Sequence, residues 1–486
     1  MTETAVAQQR RWIALILLCV AQFVVVLDAS IINVALPTIG RALHFTEGNL
    51  PWVVNAYVLT FGGFLLLGGR TADLLGRRRV FMAGLVLFAV ASLLGGLSST
   101  SGQLIAARAV QGLGAALLSP AALSIVTTTF ADGAERNKAL GVWGAVAGSG
   151  GAAGVLLGGV LTQGPGWQWV LWVNLPIGLI AAAIAPTLIA ESRSQGQRRH
   201  FDFAGAVSVT AGLSVLVYAL VDANSAGWGS TQTISLLASS AVLLLAFVLI
   251  EQRSSDPLMP FSILRLRTVT GANVVGLLTG ASLFSMFFFI SLYMQQVLGY
   301  SAIHAGLSYL PLAVSIIISA GIASQLVTRV GFKPILGTGM ALIAGGLIWF
   351  SQISVHGGFV SDILGPSLFA AVGLGFAFVP VTIAAVSGVP DREQGLASGM
   401  INTAQQVGGA LGLAILSAIA TSVIGSSHDP AVLTRGFHSA FLAGAGIAVL
   451  GLLATITLVR TRDSAAHVEM ARAGAAQPAL AVPEPG

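Results

Sequence analysis

Apolar runs long enough to cross a bilayer recur along almost the whole chain, broken by short stretches where polar and charged residues collect. Read with a window of about 19 residues, the pattern yields fourteen segments. They lie near 12–36, 48–69, 78–98, 102–126, 137–162, 168–190, 203–221, 233–250, 269–294, 303–328, 333–353, 360–386, 395–423 and 437–459. Lipid offers no water to unpaired backbone groups, so each run is predicted to be a membrane-spanning helix. The first run is too long for a signal-peptide core and no small-residue cleavage site follows it, so it is expected to be retained as a span. Residues 461–486, rich in Ala and Pro toward the end, are expected to form a disordered tail.

Composition excludes a soluble protein. Of the 486 residues 55% are hydrophobic and 8% charged, whereas soluble domains carry about 25% charged residues. The basic residues then set the orientation. With the N-terminus cytoplasmic, 20 of the 23 Lys and Arg residues fall on the cytoplasmic side, Arg41 and Arg435 fall outside, and Arg108 falls within the membrane. One missed helix would invert every later loop, so this asymmetry supports the count and places both termini in the cytoplasm. The net charge of +5 follows from that topology and calls for no nucleic-acid partner. A single cysteine, Cys19, excludes an internal disulfide framework, and the seven histidines show no metal-ligand spacing.

Against this background two charges stand out. Asp28 lies deep in the first apolar run, and an intramembrane carboxylate is a functional-site candidate because it must be neutralised, paired or wetted. It sits about 12 Å from the outer end of its helix, and Arg108 about 9 Å from the outer end of the fourth, at about 1.5 Å per residue. The two depths match, so Asp28 and Arg108 are expected to pair or share a cavity, with Arg108 snorkelling to the surface as the alternative. Gln111 lies one turn from Arg108 on the same face. Ser30 and Asn33 are expected to complete a polar cluster on the first helix. In the ninth run Met286, Phe288, Tyr293 and Gln296 are candidates for a substrate cavity, since an aromatic and Met-rich wall suits bulky lipophiles. A lipid-facing or core stripe is the competing reading.

Two further patterns carry mechanism. Gly68-Gly69-Arg70-Thr71-Ala72-Asp73-Leu74-Leu75-Gly76-Arg77-Arg78-Arg79 joins the second and third runs. Its glycines allow close helix approach and a tight turn, and Asp73 can accept from basic groups or cap the N-terminus of the next helix. In the fifth run Gly150, Gly154 and Gly158 recur at i+4, a stripe on which a neighbouring helix can pack.

These stretches are where a family resemblance becomes specific. The segment through Gly69, Asp73, Gly76, Arg77 and Arg78 resembles motif A of the major facilitator superfamily. Arg108-Ala109-Val110-Gln111-Gly112 resembles its motif B, and Leu27–Pro37 resembles the first-helix motif of the fourteen-helix drug:proton antiporters. Residues 289–311 and 395–412 are also similar to that subfamily. The glycine stripe resembles motif C, the antiporter signature, except that Val155 stands where the family has proline.

The resemblance implies an all-α fold with two six-helix bundles, residues 1–192 and 269–460, and two inserted helices within 193–268. It implies proton-coupled export of lipophilic drugs or antibiotics, monovalent cationic or neutral, by alternating access, with Asp28 and Arg108 handling the proton. Motif A and motif C are then the conformational elements. The expected partners are a small lipophilic substrate, protons as the coupling ion and the lipid bilayer, with no other cofactor and the chain acting as a monomer in the cytoplasmic membrane. Export of a lipid or cell-wall precursor and proton-coupled import of a small metabolite are the alternatives. A channel would need a continuous polar pore, and an enzyme a clustered catalytic site; the sequence offers neither.

Overall fold

The computed structural model describes residues 3–45, 49–192, 202–254, 257–425, 427 and 429–476. The described residues are helical throughout their regular structure, with no strand. Among the described residues, thirteen helices are individually long and apolar enough to cross a membrane, and a fourteenth passes as two segments meeting at 41° between Gly151 and Ala153. In chain order they are α1 (Glu3–Ala42), α2 (Trp52–Leu75), α3 (Arg77–Gly96), α4 (Ser101–Thr129), α5 (Ala134–Gln163) and α6 (Trp169–Leu188). Then follow α7 (Phe203–Ala226), α8 (Thr231–Arg253), α9 (Arg267–Leu292), α10 (Leu310–Val330), α11 (Phe332–Phe350), α12 (Gly365–Val386), α13 (Gln394–Ile424) and α14 (Pro430–Leu458). The bent helix is α5. Its bend falls in the glycine run upstream of Val155, so it needs no proline there.

Prolines explain where helices break. Pro176 has no N–H to give the carbonyl of Trp172 and its ring crowds that carbonyl, so α6 is interrupted at Val173 and restarts at Asn174. Pro311 does the same before α10, which is preceded by a separate short helix, Ala302–Ser308, and by Tyr309 at the break.

Helices α1–α6 pack mainly on one another, α3 and α2 on α4 and α1 on α5. Helices α9–α14 form a second group in which α9 packs on α13, and α11 on α12 and α14. The two groups meet along two seams, α5 against α10 and α2 against α13. The extra pair α7–α8 pack on each other, and α7 also lies against both α2 and α13. The expected boundary at 193 falls outside the described residues. Loops after the even-numbered helices carry most of the arginines, and this end is called the basic end below.

Each half turns at the basic end through a single glycine. Gly76, at φ 110°, joins α2 to α3, and Gly331, at φ 87°, joins α10 to α11. Both lie in a region that side-chain-bearing residues rarely adopt.

The expected disordered tail is a correction. Residues Thr461–Ala476 form a helix, α15, docked against the basic end. Ser464, His467, Val468 and Ala471 are buried, a spacing of i, i+3, i+4 and i+7 that marks one helical face. The Lys333 N–H donates to Ser464 Oγ (3.1 Å), the Thr268 hydroxyl donates to Asp463, and His467 Nε2 lies 3.0 Å from Asn137 Oδ1. The helix therefore touches α5 of the first group and the α9, α10 and α11 ends of the second. Burial pushes the His467 imidazole below its ordinary pKa, opposed by nearby Asp132 and assisted by Arg136. Averaged Ala and Pro content hid the short periodic face. Residues 477–486 lie outside the described residues.

Candidate functional site

Asp28 and Arg108 meet inside the first group, both with side chains fully shielded. Arg108 Nη1 donates to Asp28 Oδ2 at 2.5 Å. The other carboxylate oxygen, Oδ1, accepts from Gln111 Nε2 at 2.8 Å and from Asn174 Nδ2 at 2.7 Å. Arg108 is held in turn by the carbonyl of Val53 (3.0 Å), by Gln111 Oε1 (2.7 Å), and by the ring of Tyr57, whose centroid lies 4.4 Å from the guanidinium carbon. Ser92 Oγ accepts from Gln111 Nε2 (2.6 Å) and more distantly from Asn174 Nδ2 (3.4 Å). Asp28, Ser92, Arg108, Gln111 and Asn174 are all 1% exposed or less.

The break in α6 makes this arrangement possible. Pro176 restarts the helix at Asn174, and that first residue directs its amide at α1. Helices α1, α2, α3, α4 and α6 thus each contribute one or more groups to a single carboxylate–guanidinium pair. A buried ion pair is weak evidence of stability, because its desolvation offsets its attraction, and losing one partner costs about 3–5 kcal/mol. A site of this kind fits a chemical task better than a scaffold role. Neutralising Asp28 with a proton changes the charge of a dry cluster by one unit, and that change is the chemistry the cluster can perform.

A second buried Asp–Arg pair lies at the basic end, and it bridges the two groups. Asp73 Oδ1 accepts from Arg77 Nη2 (2.8 Å) and from the Gly395 N–H (3.0 Å), while Oδ2 accepts from the Leu396 N–H (2.9 Å). These are first-turn N–H groups of α13, which have no intrahelical acceptor and form the positive end of the helix dipole. Arg77 also donates to the carbonyl of Asp391. Contact is close because both helices carry glycine. A Cβ on Gly69 would stand 2.3 Å from the carbonyl oxygen of Gly395, and one on Gly395 would stand 2.5 Å from that of Gly69. Arg78 packs against the start of the 189–192 segment, donating to the Ile189 carbonyl (3.1 Å) and lying 3.7 Å from Glu191. Gly76 abuts the Glu191 carboxylate.

The other half repeats this seam without the charge. Thr328 stands three residues before Gly331, as Asp73 stands before Gly76, and it accepts from Asn137 Nδ2 of α5 at 3.0 Å. His467 of α15 adds its bond to the same asparagine.

Other expected residues lie elsewhere. Ser30 donates to the Leu27 carbonyl of its own helix (3.0 Å), and Asn33 donates to the Ala29 carbonyl (3.1 Å) on an exposed face. Neither touches Asp28, which corrects the expected cluster: on a helix, residues two and five positions along turn away from a given face. Ser30 instead meets the glycine stripe of α5. Cβ atoms on Gly150, Gly154 and Gly158 would crowd Val26, Ser30 and Leu27, and Ile31, so the stripe seats α5 on α1.

The aromatic candidates do not form one wall. Met286 and Tyr293 are buried, and the Tyr293 hydroxyl donates to the Ser354 carbonyl (2.7 Å). Phe289 packs between Phe437 and Phe441, and Phe287 stacks on Tyr309. Phe288 and Gln296 are exposed. Successive residues on a helix point about 100° apart, so the run divides between core and exterior. Asn174, Ser92 and Tyr57 were missed by sequence reasoning. Asn174 had a signal, a polar side chain in an apolar span two residues before a proline; Ser92 had none.

The chain matches the model of the Major Facilitator Superfamily over residues 18–413. It is 42% identical to the cephamycin export protein of Amycolatopsis lactamdurans, over 92% of each chain. It is 37% identical to the puromycin resistance protein of Streptomyces alboniger, over 92% of this chain and 90% of that one. With the lincomycin resistance protein of Streptomyces lincolnensis it shares 31% identity over 95% of each. Among solved structures the fold resembles that of a proton:xylose symporter, with a TM-score of 0.67 at 14% identity, covering 93% of this chain and 96% of that one.

Proposed function

The chain belongs to the major facilitator superfamily, and from that premise we propose that this multi-pass membrane transporter is a proton-coupled antiporter. It exports lipophilic antibiotics, neutral or monovalent cationic, across the cytoplasmic membrane, with the basic end facing the cytoplasm. The observation that carries the reading is the sealed Asp28–Arg108 pair, wired to Gln111 and Asn174 within one bundle. Relatives named for antibiotic export and resistance support the direction and the substrate class. The Asp73 latch supports alternating access, since it closes the seam at one end and must part for that end to open.

The test compares cells with and without the protein for survival on, and efflux of, a panel of lipophilic cations and neutral antibiotics. It is repeated with a protonophore and with Asp28→Asn. Efflux is expected to collapse with the protonophore and to fall at least about 100-fold in Asp28→Asn, equivalent to about 2.7 kcal/mol. Unchanged efflux in Asp28→Asn removes Asp28 from the coupling role. Unchanged efflux with the protonophore removes proton coupling.

A further inference from the structure

Among the described residues, each hydrogen-bond partner of the Asp28 carboxylate is a donor. Arg108, Gln111 and Asn174 each point an N–H at it, which suits an ionised carboxylate, a group that only accepts. A protonated Asp28 carries one O–H and needs an acceptor, and none of these three groups, as placed, turns one toward it. Arg108 has no acceptor to offer. One of the two amides must therefore turn, exchanging its oxygen for its nitrogen.

The two amides are not equivalent. Gln111 is held at both ends: Oε1 accepts from Arg108 at 2.7 Å, and Nε2 donates to Ser92 at 2.6 Å as well as to Asp28. Turning it would break the bond from Arg108 and set its nitrogen against the guanidinium. Asn174 is held at one end only. Its Nδ2 donates to Asp28, with a long contact to Ser92, while its Oδ1 is buried with no hydrogen-bond partner among the described residues. Rotation about its terminal torsion, broad and roughly two-fold for asparagine, exchanges one unmet group for another. Before the turn the oxygen is unpartnered; after it the oxygen accepts the Asp28 proton and the nitrogen takes the outer position. The number of satisfied groups is the same in both states, whereas turning Gln111 would lower it.

We propose that Asn174 is the positioning residue that lets Asp28 hold its proton, donating to the carboxylate and turning over to accept from the carboxylic acid. The step is a protonation: a hydronium ion gives its proton to Asp28 Oδ1 and leaves as water, and the new O–H then donates to Asn174 Oδ1. The inference rests on Asp28 being the proton-coupling residue.

Infrared difference spectra between acidic and alkaline pH test it on the purified full-length protein in lipid. Wild type is expected to gain, on acidification, a carboxylic-acid carbonyl band beyond those that the chain's other carboxyl groups give in Asp28→Asn. In Asn174→Leu, which has neither donor nor acceptor, that band is expected to move to higher wavenumber, because the acid O–H has lost its acceptor. In Asn174→Thr, whose hydroxyl can donate or accept, it is expected to return toward the wild-type position. A measurement on the native side chain guards against a misfolded variant: with 13C-labelled asparagine, acidification is expected to shift one side-chain amide band in wild type and none in Asp28→Asn. The dependence of efflux on external pH is expected to change several-fold in Asn174→Leu and to recover in Asn174→Thr. An unmoved acid band in folded Asn174→Leu, or no amide shift in labelled wild type that shows the acid band, overturns the role of Asn174 and leaves Asp28 in place. Acid bands that are the same in wild type and Asp28→Asn overturn the Asp28 reading and this one with it.

Discussion

Among the described residues two buried aspartate–arginine pairs stand out, and they differ in what they tie together. The printed partners of Asp28, on α4 and α6, belong to the first bundle, as do the α2 and α3 groups that hold those partners in place. Asp73 reaches across to the second bundle and accepts from the first turn of α13. A pair closed within one bundle can change its charge state while the bundles hold still. A pair that spans the seam cannot persist when that seam opens. Under the proposed function, similar chemistry would serve two separable purposes, charge storage in one place and mechanical closure in the other.

Breaking each pair separately should expose that difference. The largest effect is expected from Arg108→Leu, which leaves an unpaired carboxylate in a dry site at a loss of about 3–5 kcal/mol. Thermal unfolding should show a large fall in midpoint, and Asp28→Asn combined with Arg108→Leu should recover part of it. Next comes Asp73→Ala, which frees two buried N–H groups at about 1–3 kcal/mol each. Spin labels at the exposed positions Arg79 and Arg329 should then report a population with wider separation at the basic end. Asp28→Asn should leave that distance distribution unchanged. If it widens the distribution as Asp73→Ala does, the two pairs are one device and the distinction fails.

Smaller effects sharpen the contrast. The neutral seam at Asn137 and Thr328 is reinforced by His467, which is buried uncharged and held below its ordinary pKa. As pH falls through about 6.5, the unfolded chain takes up a proton at this position and the folded one does not. Stability contributed by neutral His467 is therefore present above that pH and lost below it, down to the depressed folded value. The unfolding midpoint should drop on acidification in wild type by more than in His467→Gln, whose amide can keep the bond to Asn137. The smallest effect is expected from Asn33→Ala, whose side chain bonds only within its own helix on an exposed face. Stability should change by no more than about 0.5 kcal/mol, and efflux should stay near wild type.

Legibility in the sequence followed the physics of each signal. Helix positions were readable because lipid enforces long apolar runs, and the Asp28–Arg108 pairing because two charges at matching depth have few alternatives in hydrocarbon. Asp73 was expected to cap the next helix, but the helix start it caps lies more than 320 residues away on α13, a distance no local pattern encodes. Ser30 and Asn33 looked like site residues because proximity along the chain was taken for a shared face. The phenylalanine run of α9 looked like a wall because composition carries no direction. Helix α15 was hidden because its buried stripe is only four residues, set in a segment whose average composition is that of a tail.

The inserted helices have a consequence for how freely this architecture can be edited. Helix α7 presses Ser214 onto Gly63 of α2, and Ala206, Val209 and Leu213 share one apolar cluster with Leu66, Leu396 and Met400. Arg70 reaches into the same region and donates to the Pro257 carbonyl just beyond α8. The pair is therefore a keystone seated on both halves. Splicing α7 and α8 out to recover a twelve-helix protein would strip an apolar face from α2 and α13 where they cross, and grafting the pair onto a twelve-helix relative would require that relative to supply the matching glycine at position 63.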